Sequence, residues 1–293
     1  LADIQSIGDR CYDEQAYDAA KLLFNSISNH PRLASCLVHL GSYREAVEAA
    51  RKANSIRTWK EVNAACVRAG EFKLAQVCGL YIIVSPDDLD DLVVEYERQG
   101  HFEELIRLME QGVGLESAHK GIFTMLGVLY AKYQPEKLKE HIKIFWSRVN
   151  MQRLLSACAE GLHWEETAFL YVENKDYDAA VRVMIEHPAD AFQQDKFLEI
   201  IQKVRNTELH YLAISFYLEQ EPMRLSKLLS VLQPQLEPTR VVHQLRRTDN
   251  LELIVDYVKA VQKQGDNIAA VNEAVNEICV EEEDYEGLRE SVT

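Results

Sequence analysis

The sequence lacks paired cysteines. Its six cysteines lie far apart, with no C-x-x-C motif and no alternation with histidine at the spacing of metal ligands. They occur inside apolar runs that are typical of helices, which indicates buried, reduced thiols of an intracellular protein. The sequence therefore predicts no disulfide framework, no metal site and no cofactor.

Long apolar runs and catalytic motifs are also missing. The longest clean apolar run, GLYIIV at residues 79–84, is far shorter than the ~20 residues of a membrane-spanning helix, and we recognise no signal peptide. There is no H-E-x-x-H or G-x-S-x-G motif, and the GVG at residues 112–114 is followed by no Lys-Ser/Thr of a phosphate loop. We therefore expect no enzyme, no small-molecule substrate and no direct membrane insertion.

Positive charge is scarce. The chain has 32 basic and 47 acidic residues and a formal net charge of −15, which argues against a general nucleic-acid partner because phosphates require a basic face. Hydrophobic and charged contents of 47% and 27% are those of an ordinary soluble chain. The chain begins at Leu1 and not at methionine, which suggests a segment of a longer protein.

What the sequence does contain is a repeat. An aromatic residue opens a helical run six times. The steps are about 30 residues, except that residues 102 and 164 are two such steps apart and the last step is shorter, where the aromatic marks the other helix of its pair. An alanine often follows the aromatic three positions later, which predicts that these rings pack between helices. We predict an all-α fold, an α-solenoid of short antiparallel helix hairpins. The six aromatic residues are Tyr17, Tyr43, Phe72, Phe102, Trp164 and Tyr177.

One further stripe concerns Trp59. Within residues 55–69, four side chains fall on one side of a predicted helix, which favours a core position for Trp59 over a ligand pocket. The four are Ile56, Trp59, Asn63 and Cys66. A long helix is predicted over residues 116–133.

The most basic helix of this acidic chain is predicted over EKLKEHIKIFWSRVN, residues 136–150. Its buried stripe comprises Leu138, Ile142, Phe145 and Val149. The flanking residues are Lys139, Lys143 and Trp146 on one side, and Lys137 and Arg148 on the other. For any single lysine a solvated surface is the simpler interpretation. Together they indicate a docking surface for an acidic partner helix, with Trp146 as a candidate anchor.

Several runs resemble the clathrin heavy-chain family, in the part of the chain called the proximal leg. The similarity extends over the whole chain and is most evident in IGDRCYDEQAYDAAKLLF (7–24), RLASCLVHLGSYREAVEAARKANSIRTWKEV (32–62), HIKIFWSRVN (141–150) and EEDYEGLR (282–289). The resemblance implies a right-handed superhelix with large repeats of about 145 residues. It places the end of one repeat at residues 1–77, a complete repeat at 78–226 and the start of another at 227–293.

The resemblance also implies partners. In this family the proximal leg binds the clathrin light chain and packs against neighbouring heavy-chain legs, at the cytoplasmic face of coated pits and vesicles in endocytosis. The implied light-chain contacts are Lys132, Lys137, Lys139, Lys143, Trp146 and Arg148. The family's amino-terminal β-propeller and carboxy-terminal trimerisation helix are not in this sequence, so we expect the segment neither to recruit adaptors nor to form trimers.

Other interpretations stay open at this point. A peptide-binding scaffold like the tetratricopeptide proteins would direct its aromatic residues into a concave groove. A tether subunit of a vacuolar-sorting complex carries related large repeats, but we expect it to lack RKANSIRTWKEV and FWSRVN. A hydrolase would reveal itself by metal dependence or turnover.

Overall fold

The computed structural model describes residues 2–263 and 268–281; the run at 282–289 quoted above lies outside them. Within these ranges the chain forms twenty α-helices and four short 3-10 helices, with no β-strand. The prediction of an all-α fold is confirmed.

The first eleven helices are α1 (Ala2–Asp13), α2 (Tyr17–Ser26), α3 (His30–His39), α4 (Tyr43–Ala53), α5 (Ile56–Arg68), α6 (Phe72–Ile83), α7 (Pro86–Gln99), α8 (Phe102–Val113), α9 (Lys120–Tyr133), α10 (Pro135–Phe145) and α11 (Met151–Glu160). The others are α12 (Trp164–Glu173), α13 (Tyr177–Glu186), α14 (Pro188–Ala191), α15 (Gln194–Ile201), α16 (Thr207–Gln220), α17 (Leu225–Leu232), α18 (Pro238–Arg247), α19 (Val255–Lys263) and α20 (Ala269–Glu281). The 3-10 helices are Trp146–Arg148, Pro222–Arg224, Gln233–Gln235 and Leu251–Ile254.

The chain divides into two compact units, unit 1 (Leu1–Ala157) and unit 2 (Cys158–Thr293). In unit 1, α1 packs on α2, α3 on α4, α5 on α6, α7 on α8 and α9 on α10, and each pair contacts the next. In unit 2, α12 packs on α13, and contacts continue through α15, α16 and α17 to α19 and α20. Short connections make successive helices antiparallel. Each unit is thus a stack of helix hairpins, and the α-solenoid prediction is confirmed.

The six aromatic residues of the repeat each occupy the first position of a helix: α2, α4, α6, α8, α12 and α13. Four of the rings lie against an aromatic or imidazole ring at the end of a later helix or, for His101, directly before the start of α8. These pairs, with the distances between ring centroids, are Tyr17 with His39 (4.4 Å), Phe72 with His101 (5.0 Å), Phe102 with Tyr133 (4.3 Å) and Trp164 with His187 (3.6 Å). The alanines three positions after the aromatic are buried. These four rings therefore pack between helices, as predicted.

A left-handed turn precedes each of these six helices. The residue two positions before the aromatic always has a positive φ, and the next backbone N–H bonds the carbonyl five residues back, as in a Schellman motif. Three of the six are glycine, which adopts this conformation without steric cost. The φ values are Gln15 62°, Gly41 71°, Gly70 75°, Gly100 77°, Leu162 60° and Lys175 62°.

The stripe around Trp59 is mostly buried. Trp59 is 2% exposed and stacks on Tyr81 with ring centroids 4.4 Å apart, so its prediction as core is confirmed. Asn63 and Cys66 are also buried, but Ile56 is 38% exposed because it is the first residue of α5, at the solvent end of the stripe.

The long helix predicted from residue 116 begins later, at Lys120. His119 caps it, because its Nδ1 accepts a hydrogen bond from the N–H of Gly121.

All six cysteines are free thiols. No described helix has both the length and the apolar character to cross a membrane. No cluster of three potential metal ligands occurs among the described residues.

Candidate partner-binding surface

Helix α10 is positioned by its sequence at both ends. Pro135 occupies its first turn, where the missing N–H costs no hydrogen bond. Its inner face consists of three buried side chains, Leu138, His141 and Ile142. The helix predicted over residues 136–150 ends early, at Phe145, and a 3-10 turn follows it. Val149 is buried as predicted, but it lies beyond the end of the helix.

Two of the predicted cations are held by carboxylates of neighbouring helices. Lys137 Nζ lies 2.8 Å from Glu110 Oε1 on α8, and Lys132 Nζ lies 3.4 Å from Glu97 Oε1 on α7. The hydroxyl of Tyr133 donates to the same Glu97 oxygen over 3.1 Å. These two lysines therefore link helices within unit 1 and carry partly neutralised charge.

Tyr133 and Tyr130, whose hydroxyl groups bond the carboxylates of these ion pairs, have raised pKa values. Burial and the hydrogen bond to Glu97 raise the pKa of Tyr133 to about 12. Burial and the hydrogen bond to Glu110 raise the pKa of Tyr130 as well. Both phenols stay protonated in their bonds to the carboxylates.

Arg148 has a structural contact of its own. Its guanidinium carbon lies 4.0 Å from the centroid of the Phe123 ring, and its Nη2 is 3.5 Å from the carbonyl oxygen of Ala118. Phe123 is fully buried, so Arg148 covers the core side of α9 by a cation–π contact.

The other flank of α10 is the more open one. Lys139 and Lys143 are exposed, and Trp146 is half-buried at the start of the 3-10 turn. Lys143 forms no ion pair with any residue that the structure describes. Because Lys137 lies two residues before Lys139 on α10, and so on the opposite side of the helix, the structure does not bring all six predicted residues onto one surface.

Three residues near this surface were not predicted from the sequence: the acidic partners Glu97 and Glu110, and the exposed Ile144. Glu97 and Glu110 are 35 and 27 residues away from their lysines, and no local pattern signals such pairs. Ile144 is 65% exposed on α10; its position outside the buried stripe was the available signal.

Comparison with known proteins gives one family and close relatives. The family model described as "Region in Clathrin and VPS" matches residues 2–74 and 80–225. The clathrin heavy chain of Dictyostelium discoideum is 50% identical over 99% of this chain and 17% of its own length. Clathrin heavy chain 1 of Oryza sativa is 52% identical over 100% of this chain and 17% of its own, and human clathrin heavy chain 2 is 48% identical over 99% and 18%.

Proposed function

This chain belongs to the clathrin repeat family, and from that premise we propose that it is a structural segment of a clathrin heavy chain, part of the scaffold of coated pits and vesicles. The observation that carries the proposal is identity of about half to clathrin heavy chains over nearly the whole segment. The segment spans less than a fifth of the length of these relatives. The role of the complete protein is therefore part of the proposal.

The proposed role is mechanical and not enzymatic. Stacked hairpins distribute strain over many small interfaces, so the segment bends gently while its repeats stay folded. We propose that it packs against legs of neighbouring heavy chains at the cytoplasmic face of the membrane. We also retain the repeat limits 1–77, 78–226 and 227–293; the two ranges that the family model matches support the first two.

We further propose that unit 1 binds a clathrin light chain through the six residues of α9, α10 and the following turn. Lys139, Lys143 and Trp146 are the primary contacts, because the two lysines are exposed and Trp146 is half-buried beside them. Lys132, Lys137 and Arg148 contribute rim charge while keeping their internal contacts. Each exposed ion pair contributes only about 0–1 kcal/mol, so several pairs and the apolar surface of Trp146 are needed.

The test is titration of the segment with a purified clathrin light chain at low and high salt. We expect one-to-one binding that weakens with salt, because screening acts on exposed charges. The variant Lys139→Glu/Lys143→Glu is expected to bind about tenfold more weakly, with unchanged circular dichroism. The matched control is Arg57→Glu/Lys73→Glu, which reverses two exposed cations on α5 and α6.

Equal affinity of the variant and the wild type would remove the proposed role of α10. Absence of binding at either salt would leave the family intact and favour a second function. That function is a scaffold subunit of a vacuolar-sorting complex, since the matching family model covers both clathrin and VPS regions.

A further inference from the structure

Helices α2 and α4 both pack on α3 and leave an open groove between them. The groove has a volume of about 450 Å³. Its floor is apolar, since Leu33, Leu37 and Ala49 line it and are each less than a tenth exposed. Leu22, on the α2 side, is 72% exposed. An exposed leucine beside an apolar floor is a surface suited to an apolar side chain of a partner.

The groove has an excess of free positive charge. Lys21 Nζ pairs with Glu45 Oε2 across it over 2.8 Å, and Glu48 pairs with Arg51 over 3.3 Å. Both of its acids are thus paired. Arg44 and Lys52 also line the groove, and neither pairs with a carboxylate in the described part of the chain. They lie on α4 about two turns apart, a rise of about 12 Å.

We propose that this groove binds an acidic amphipathic helix from a protein partner. A carboxylate at each end, about two turns apart, pairs with Arg44 and Lys52, and an apolar residue midway between them packs on Leu22 and the floor. A helix presents these three groups along one side at the same spacing as α4 presents its cations. The site is built from α2, α3 and α4 and does not depend on the surface of α10.

The charge pattern selects this occupant over a simple apolar one. An apolar peptide alone would leave Arg44 and Lys52 facing it without partners, which gives no specificity. A groove in unit 2 between α16 and α18 provides the contrast: there Arg240 lies 3.8 Å from the ring centroid of Tyr211 and pairs with Glu208. Arg247 lines that second groove and serves as a control position.

The test is fluorescence anisotropy with a fluorescein-labelled alanine-based helical peptide of about 16 residues. The peptide carries a central leucine with a glutamate one turn before it and another one turn after it. We expect Arg44→Glu/Lys52→Glu to weaken binding about tenfold and Leu22→Ser about threefold. Arg247→Glu is expected to leave the affinity unchanged. Circular dichroism checks that these exposed substitutions preserve helicity.

Three results would overturn the proposal. They are failure of the peptide to bind the wild-type chain, equal binding by the groove variants and the wild type, and equal binding of a peptide with glutamine in place of both glutamates. Because no light chain is present in the assay, its outcome is independent of the titration that tests the light-chain surface.

Discussion

Lys137 and Tyr130 donate hydrogen bonds to the same carboxylate oxygen of Glu110, each over 2.8 Å. The lysine is on α10, the tyrosine on α9 and the glutamate on α8, so one carboxylate joins three consecutive helices. Burial opposes ionisation of Glu110, but the two hydrogen bonds outweigh it and lower its pKa. The ion pair thus ties the proposed partner-binding helix to the hairpin before it.

Replacing Glu110 is therefore expected to loosen α10. We expect Glu110→Gln to lower the free energy of unfolding at neutral pH by about 0.5–1 kcal/mol, a small effect because solvent screens the pair. Since the folded-state pKa is below the unfolded one, this stabilisation is complete above the unfolded pKa and is lost as pH falls through the folded value. Urea unfolding at about pH 7 and about pH 3 checks this. Glu103→Gln, a more exposed change on the same helix, is the control, and an equal loss in both variants would contradict the prediction.

Leu162 offers a stabilising substitution. Its φ of 60° places a branched, 67% exposed side chain in the left-handed region, which costs about 1–2 kcal/mol for a residue with a Cβ. We expect Leu162→Gly to raise the free energy of unfolding by about 0.5–1 kcal/mol after the larger unfolded-state entropy of glycine is subtracted. Leu162→Ala keeps the Cβ and is the matched control. Thermal unfolding that ranks alanine at or above glycine would refute the explanation.

The repeat could be predicted from sequence, but its exceptions could not. A leading aromatic residue, followed in four of the six cases by a buried alanine one turn later, is a local pattern, so the starts of six helices followed from it. The glycines at positions 41, 70 and 100 are the residue type that adopts these left-handed turns without steric cost. Leu162 occupies an equivalent turn and carries no local signal, because a leucine has no intrinsic preference for the left-handed conformation.

The candidate surface was predictable only in part. The helical spacing of Lys139 and Lys143 placed them correctly on one exposed side of α10. The pairing of Lys137 with Glu110 depends on how successive hairpins pack, which spacing within one helix does not reveal. His141 was also missed in the buried stripe, since an imidazole is usually expected at the surface.

Gly79 permits a close approach of α6 and α8. A methyl group added at Gly79 would lie 2.6 Å from Cδ2 of Leu108, which is fully buried. We expect Gly79→Ala to lower the free energy of unfolding by about 1–3 kcal/mol through overpacking, less a gain of about 1 kcal/mol in helix propensity. At Gly114 the nearest atom would be 3.4 Å away, so Gly114→Ala is the control. Denaturant unfolding of the two variants separates them, and equal stabilities would contradict the packing argument.

His141 makes unit 1 sensitive to acid. The imidazole is 5% exposed, and its Nε2 donates a hydrogen bond to the carbonyl oxygen of Phe123 over 2.8 Å. Burial lowers its pKa, and this effect exceeds the opposing influence of the Phe123 hydrogen bond. The folded protein therefore holds His141 neutral at pH values where the unfolded chain binds a proton. The resulting stabilisation is complete above the unfolded pKa, near 6.5, and is lost as pH falls towards the folded value.

We expect urea unfolding of the wild type to show a greater loss of stability between about pH 7.5 and about pH 5.5 than that of His141→Gln. Glutamine keeps a donor for the Phe123 carbonyl but does not titrate, so the variant is less stable at neutral pH and less dependent on pH. His243→Gln, at an exposed position of α18, is expected to keep the wild-type dependence. Amide hydrogen exchange in α9 and α10 localises the effect. Identical pH dependence in His141→Gln and the wild type would show that His141 is not the group that titrates.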